Sequence, residues 1–280
     1  MRFRLMASRH SAFYSPYLTC VNLLRQAGHD VTYGVLGPRQ RTHALLRDGE
    51  ADIVQSAVSS NWQLREQGIE PLPVHFAQIN QRDGFFLAGR APEAEFPWKS
   101  LEGKTLLADY GKQPLAMLKY AVKHNGVDWK RIRVVNAGAP DRMEAAFRDG
   151  TGDYVHLQGP VTAGEIVASV GACMPPVAFS SLCCAAAYRK TAEHAAFLEV
   201  YRRAREWVQT APAAEIAAGE ASFFPSIPPG LLTDTIARYQ LLGTWSGGIE
   251  ISRDLYEQAL NVFQSSGDIS WRHRYEEVVG

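Results

Sequence analysis

Two stretches of this chain repeat one another 101 residues apart, Leu46-Arg47-Asp48-Gly49-Glu50-Ala51-Asp52-Ile53-Val54 and Phe147-Arg148-Asp149-Gly150-Thr151-Gly152-Asp153-Tyr154-Val155. In each, a helix ends at a glycine and a strand begins after an aspartate. The correspondence extends upstream. An alternating strand from Arg2 to Ala7, a helical stretch ending near Gly28 and a strand from Val31 to Val35 precede the first copy. A strand from Thr105 to Ala108, a helix ending near Gly126 and a strand from Ile132 to Val135 precede the second. Each half reads βαβαβ, which demands parallel pairing and right-handed crossovers. The fold class is therefore α/β, in two similar lobes each built on a mostly parallel sheet flanked by helices. The Pro-rich break Ala91-Pro92-Glu93-Ala94-Glu95-Phe96-Pro97 and a second near Pro175-Pro176 divide the chain into lobe one, residues 1–90 and 179–280, and lobe two, residues 91–178. The C-terminal part is helical at Ala192 to Thr210, Leu231 to Leu242 and Arg253 to Phe263, and is expected to buttress lobe one. Two crossings make a hinge.

With 29 Lys+Arg against 29 Asp+Glu and no long block of one sign, neither a nucleic-acid nor a membrane surface is expected. The partner is a small molecule, and a monomer is the default for a closing clamshell. No stretch is long and apolar enough to span a bilayer. Met1 to Ala7 reads as a first strand rather than a secretory signal, so a natural start at Met1 predicts a cytoplasmic protein, and a removed signal a periplasmic one. Cys20, Cys173, Cys183 and Cys184 lack metal-ligand spacing, and Cys183-Cys184 in an apolar run reads as part of a buried strand. Neither a metal nor a cofactor is expected.

Ligands of parallel α/β sheets gather beyond the carboxyl ends of strands, where helix N-termini offer free N–H groups. Four loops qualify: Ser8 to Tyr14 and Gln55 to Trp62 in lobe one, Asp109 to Pro114 and His156 to Pro160 in lobe two. They mix aromatic and uncharged polar groups, the chemistry of a site that stacks a compact ligand and orients it. Tyr14, Trp62 and Tyr110 are the stacking candidates, with Phe13 beside them. Ser56, Ser60 and Gln158 are hydrogen-bonding candidates, and Gly111 and Gln113 of the same loops are included in the set. Arg9 and Lys112 would neutralise an anion; a Schiff base on Lys112 is the lesser alternative. His10, Asp109 and His156 complete the candidate ligand-binding set. No residues form a catalytic set.

Several strings, taken in order, resemble the NMT1/THI5-like class of substrate-binding proteins: Gly49-Glu50-Ala51-Asp52-Ile53, Gly68-Ile69-Glu70-Pro71-Leu72-Pro73-Val74 and Ser100-Leu101-Glu102-Gly103-Lys104-Thr105. The resemblance covers nearly the whole chain. It implies a type 2 periplasmic-binding-protein fold and capture of a pyrimidine, thiamine precursor, small organic acid or sulfonate, with an ABC permease as a further partner. Asp109-Tyr110-Gly111-Lys112 is similar to a loop of the fungal pyrimidine synthases of that class. Where those enzymes carry the cofactor lysine and donor histidine this chain has Ser56 and Ser60, and their cysteine motif falls on Ala178-Phe179-Ser180-Ser181-Leu182.

Binding without turnover is thus the leading expectation. The alternative is a cytoplasmic enzyme of cofactor biosynthesis on the same fold, with His10, His156, Asp109 or Lys112 as acid or base. A ligand-sensing domain is the third.

Overall fold

Strand β1 (Arg2–Ala7) turns Phe3, Leu5 and Ala7 inward, each with no solvent exposure. Its alternation fixes the register of a sheet built around it. A computed structural model describes all 280 residues. After α1 (Ser15–Gln26), β2 (Asp30–Val35) pairs parallel with β1, Leu5 facing Tyr33. After α2 (Thr42–Arg47), β3 (Ile53–Ser56) pairs parallel with its other side, Leu5 facing Ile53. Helix α3 (Val58–Glu66) then leads to β4 (Val74–Asn80), the far edge of the sheet.

A second sheet begins with β5 (Phe85–Gly89) and continues through β6 (Thr105–Leu107), α4 (Lys112–His124), β7 (Arg133–Val135), α5 (Pro140–Arg148), β8 (Tyr154–Gln158) and β9 (Glu165–Ser169). Its strand order is β7-β6-β8-β5-β9. The chain then returns as β10 (Ser180–Cys184), completing the first sheet as β2-β1-β3-β10-β4. Each sheet thus holds three parallel strands, and in each the fourth is the strand that follows a crossing, running antiparallel to both neighbours.

The sequence repeat is a structural repeat. Asp52 accepts the Arg4 N–H at 2.7 Å, and 101 residues later Asp153 accepts the Thr105 N–H at 2.8 Å. Gly49 and Gly150 take φ of +67° and +93°, left-handed positions that end α2 and α5.

One boundary is corrected. The first crossing lies at residues 81–84 rather than near residue 91, because Phe85–Gly89 is wholly buried and pairs with β8, Phe85 opposite Gln158. The Pro-rich segment after it is a surface loop of lobe two. The return crossing falls between β9 and β10, and Cys183 and Cys184 are buried in β10.

The remaining helices are α6 (Ala192–Thr210), α7 (Ala213–Glu220), α8 (Pro229–Leu241) and α9 (Arg253–Ser266). The first two pack on α1, as expected for lobe one. Helix α9 packs on both lobes, against Trp62 of α3 in lobe one, as expected, and against α4 of lobe two, with Lys119 and Asp268 at 3.7 Å. Tyr239 of α8 ties the first crossing to lobe two, donating its hydroxyl to the Gly84 carbonyl at 3.0 Å and accepting the Gly159 N–H at 2.8 Å.

Candidate functional site

The strand ends of the two lobes face one another across a cleft, and between them lies a chamber of about 250 Å³. Its lobe-one wall grows from the ends of β1 and β3. Gln55 holds the turn after β1 by accepting from both the N–H and the hydroxyl of Ser8, at 2.9 and 2.5 Å. Ser56 donates to the Ser60 hydroxyl at 3.2 Å, across the first turn of α3. Ala57, which caps that helix, has extended backbone and no side-chain acceptor, so no side chain caps the first N–H groups of α3, although the Ser60 N–H bonds the Ala57 carbonyl at 2.9 Å.

The lobe-two wall is the start of α4. Gly111 caps it, and a Cβ there would lie 2.8 Å from Asp109 Oδ1, the atom that accepts the Gly111 N–H at 2.7 Å. A side chain would therefore push the Asp109 carboxylate out of place. Gln113 ties three parts together: its carbonyl accepts from Ser59 of α3 at 2.6 Å, and its amide donates to the Phe179 carbonyl of the return crossing at 2.6 Å.

Charge in the chamber is one-sided. Arg9 and Lys112 line it and no carboxylate does. Arg9 is already neutralised by Asp109, with Nη1 2.6 Å from Oδ2. Burial would raise the Asp109 carboxyl, but the Arg9 charge and hydrogen bond and the Gly111 N–H outweigh it and hold the group below the usual carboxylate range. Lys112 makes no ion pair. Its free ammonium, with the N-termini of α3 and α4, leaves the chamber electropositive.

Seven of the residues singled out from sequence meet here: Arg9, Tyr14, Ser56, Ser60, Lys112, Gln113 and Gln158. Tyr14 lies with its hydroxyl beside Gln158, Ser180 and Ser8. Even so, neither polar atom of the Gln158 amide has a protein partner in hydrogen-bonding geometry.

The other candidates lie elsewhere. Trp62 is fully buried, its indole N–H donating to Tyr256 at 2.8 Å and its ring edge-on to Phe263 of α9. It sits one helical turn beyond Ser59 and points to the back of α3. Phe13 is core, packed against Tyr14, Phe179 and Tyr239. Tyr110 is 43% exposed and outside the chamber lining. Asp109 and Gly111 shape the wall from behind.

His156 faces inward from β8 against Phe85, with both ring nitrogens unpartnered, and burial pushes it down to about 4. His10 opens instead on a second cavity, its Nε2 donating to the Phe223 carbonyl at 2.5 Å.

Reading the sequence passed over Ser8, Gln55, Ser59, Phe85, Phe179 and Ser180. The first three belong to loops that were identified as walls. The last three come from the two crossings, which form the floor of any cleft between hinged lobes and so were legible in principle from the topology.

This arrangement, two α/β lobes joined by two crossings around a polar cleft, is a periplasmic-binding-protein fold. No family model matches the chain. A protein of Bacillus subtilis (strain 168) named "Putative binding protein YtlA" is 26% identical over 283 residues, covering 96% of this chain and 85% of the relative.

Among solved structures, the ligand-binding component of an ABC-type import system from Staphylococcus aureus, with zinc bound, superposes with a TM-score of 0.77 at 12% identity, covering 100% of this chain and 97% of that one. The periplasmic aliphatic sulphonate binding protein SsuA of Escherichia coli gives 0.72 at 13% identity, covering 99% and 97%. The desulfurization enzyme DSZB shares the fold, with a TM-score of 0.66 at 12% identity, covering 100% and 96%. These likenesses agree with the resemblance to substrate-binding proteins. The fold serves both receptors and an enzyme, so function has to be argued from the site.

Proposed function

We propose that this protein is a receptor for a small organic acid or sulfonate, captured without turnover in the interlobe chamber. The observation that carries the reading is Lys112, exposed and without an ion-pair partner, on the wall of a chamber lined also by Ser56, Ser60, Gln113 and Tyr14 and by no carboxylate. A neutral pyrimidine fits such a wall less well, because nothing there would balance the cation. The roles of the similar import-system and sulphonate-binding proteins support a place in import, with an ABC permease as partner.

The residues offered for acid–base chemistry do not converge. Asp109 is neutralised by Arg9, His156 is enclosed behind Phe85, and His10 faces another cavity. General acid–base catalysis needs such groups within hydrogen-bond reach of one substrate.

The experiment is a thermal-shift panel of short sulfonates, carboxylates, phosphate and pyrimidines on the wild type and Lys112→Gln. A ligand at roughly 100 times its Kd adds about 2.7 kcal/mol to stability. An acid is expected to raise Tm in the wild type and much less in Lys112→Gln. Stabilisation by pyrimidines alone, equal in both proteins, would overturn the reading.

A further inference from the structure

A second cavity of about 710 Å³ shares Gln158 with the first chamber and lies between α5 and the Gly159–Gly164 loop of lobe two on one side and the Phe223–Leu231 segment of lobe one on the other. Gln158 is the residue that lines both cavities, and its amide has neither donor nor acceptor satisfied by the protein.

The two spaces differ in size and in sign. Small-molecule sites usually enclose roughly 300–1,000 Å³, so the first chamber, at about 250 Å³, suits a short acid and leaves no room for a bulky tail. Its free charge is the Lys112 cation. The second cavity has a ring wall, with His10 and Phe224 at 4.5 Å between centroids, and its free charge is negative. Glu144 there is neutralised by Arg148 at 2.9 Å, which leaves Asp141, in the first turn of α5, without an ion-pair partner.

We propose that the two cavities form one bipartite site that selects a bipolar ligand: an acid head in the first chamber, a linker passing the Gln158 amide, and a tail bearing a ring and a protonated amine in the second. This rests on the acid-binding reading above and extends it to the substrate class. The ring would pack beside Phe224, and the amine would face Asp141.

Titration calorimetry of the full chain at neutral pH with three probes tests it: propanesulfonate, cyclohexylpropanesulfonate, and cyclohexylaminopropanesulfonate, which carries ring and ammonium together. Affinity is expected to rise in that order, by about tenfold or more from first to last as ring surface is buried. Asp141→Asn, a surface change, should erase the gain due to the amine and leave propanesulfonate binding as it was. Equal affinity for all three probes, or a gain unaffected by Asp141→Asn, overturns the bipartite site while the acid reading stands. No binding of any of the three overturns both.

Discussion

Arg9 and Asp109 meet at 2.6 Å although they belong to different lobes, one at the end of the first strand of lobe one and the other at the end of the corresponding strand of lobe two. Their pairing fastens the cleft at its inner edge. The Arg9 guanidinium also lies 5.4 Å over the ring of Phe85, the first residue of β5 directly after the first crossing, so the contact sits beside the hinge.

Arg9→Met leaves the Asp109 carboxylate, 8% exposed, without its counter-ion. Breaking a fully buried pair costs roughly 3–5 kcal/mol, and with Arg9 26% exposed the expected loss is nearer about 2 kcal/mol. Adding Asp109→Asn should recover most of it. Because the folded-state pKa of Asp109 is depressed, the pair's contribution is present at neutral pH and disappears only as pH falls below the ordinary carboxylate range. Urea unfolding of the two variants checks both statements. A double variant no more stable than Arg9→Met would contradict them.

Four other buried groups predict the pH profile. Burial pushes Asp83 and Glu220 up to about 8, so the folded chain holds their protons where the unfolded chain, with carboxyl pKa values near ~4, has released them. Stability therefore falls as pH rises across that interval, by up to about 1.4 kcal/mol per pH unit for each group. Burial pushes His75 down to about 3 and His156 down to about 4, which makes stability rise with pH up to the unfolded imidazole value near ~6.5.

The two effects offset one another on the acid side, and only the carboxyls act above it. The urea midpoint should decline between pH ~6.5 and ~8, and Asp83→Asn and Glu220→Gln should each flatten the decline. A midpoint that stays level in the wild type would refute this assignment.

Trp62 separates stability from binding. Trp62→Phe removes the indole hydrogen bond to Tyr256 and part of the packing on α9, and should cost about 1–3 kcal/mol. Affinity for the acid that stabilises the wild type should change by less than about twofold, because the ring points away from the chamber. A selective loss of affinity would return Trp62 to the site.

Both lobes, their parallel strands and the walls of the cleft were legible in the sequence because helix-ending glycines and strand-starting aspartates are local signals. The repeat placed Asp52 and Asp153 in equivalent positions, and they make equivalent bonds. What local signals do not encode is which sheet receives a buried strand. Phe85–Gly89, buried on both faces, has no alternation to assign it, and the visible Pro-rich break nearby drew the boundary too late. The same limit misplaced Trp62. One residue on a short helix can face the cleft or the core, and its orientation depends on α9, almost 200 residues further along the chain.

The first crossing is tightly packed at Gly84, where a Cβ would fall 2.2 Å from the ring of Phe13. Gly84→Ala must displace that ring or the crossing itself, and overpacking of this kind costs roughly 1–3 kcal/mol. A lowered Tm is expected, together with weaker ligand binding because the hinge is displaced. An unchanged Tm would show that the crossing adjusts freely.

Anomalous diffraction from crystals grown with bromoethanesulfonate tests the central claim most directly, since bromine marks where an acid ligand settles. The account predicts a peak inside the cleft, between the start of α3 at Ser60 and the start of α4 at Lys112. Bromine bound only on the outer surface, with the cleft empty at a ligand concentration that raises Tm, would contradict it.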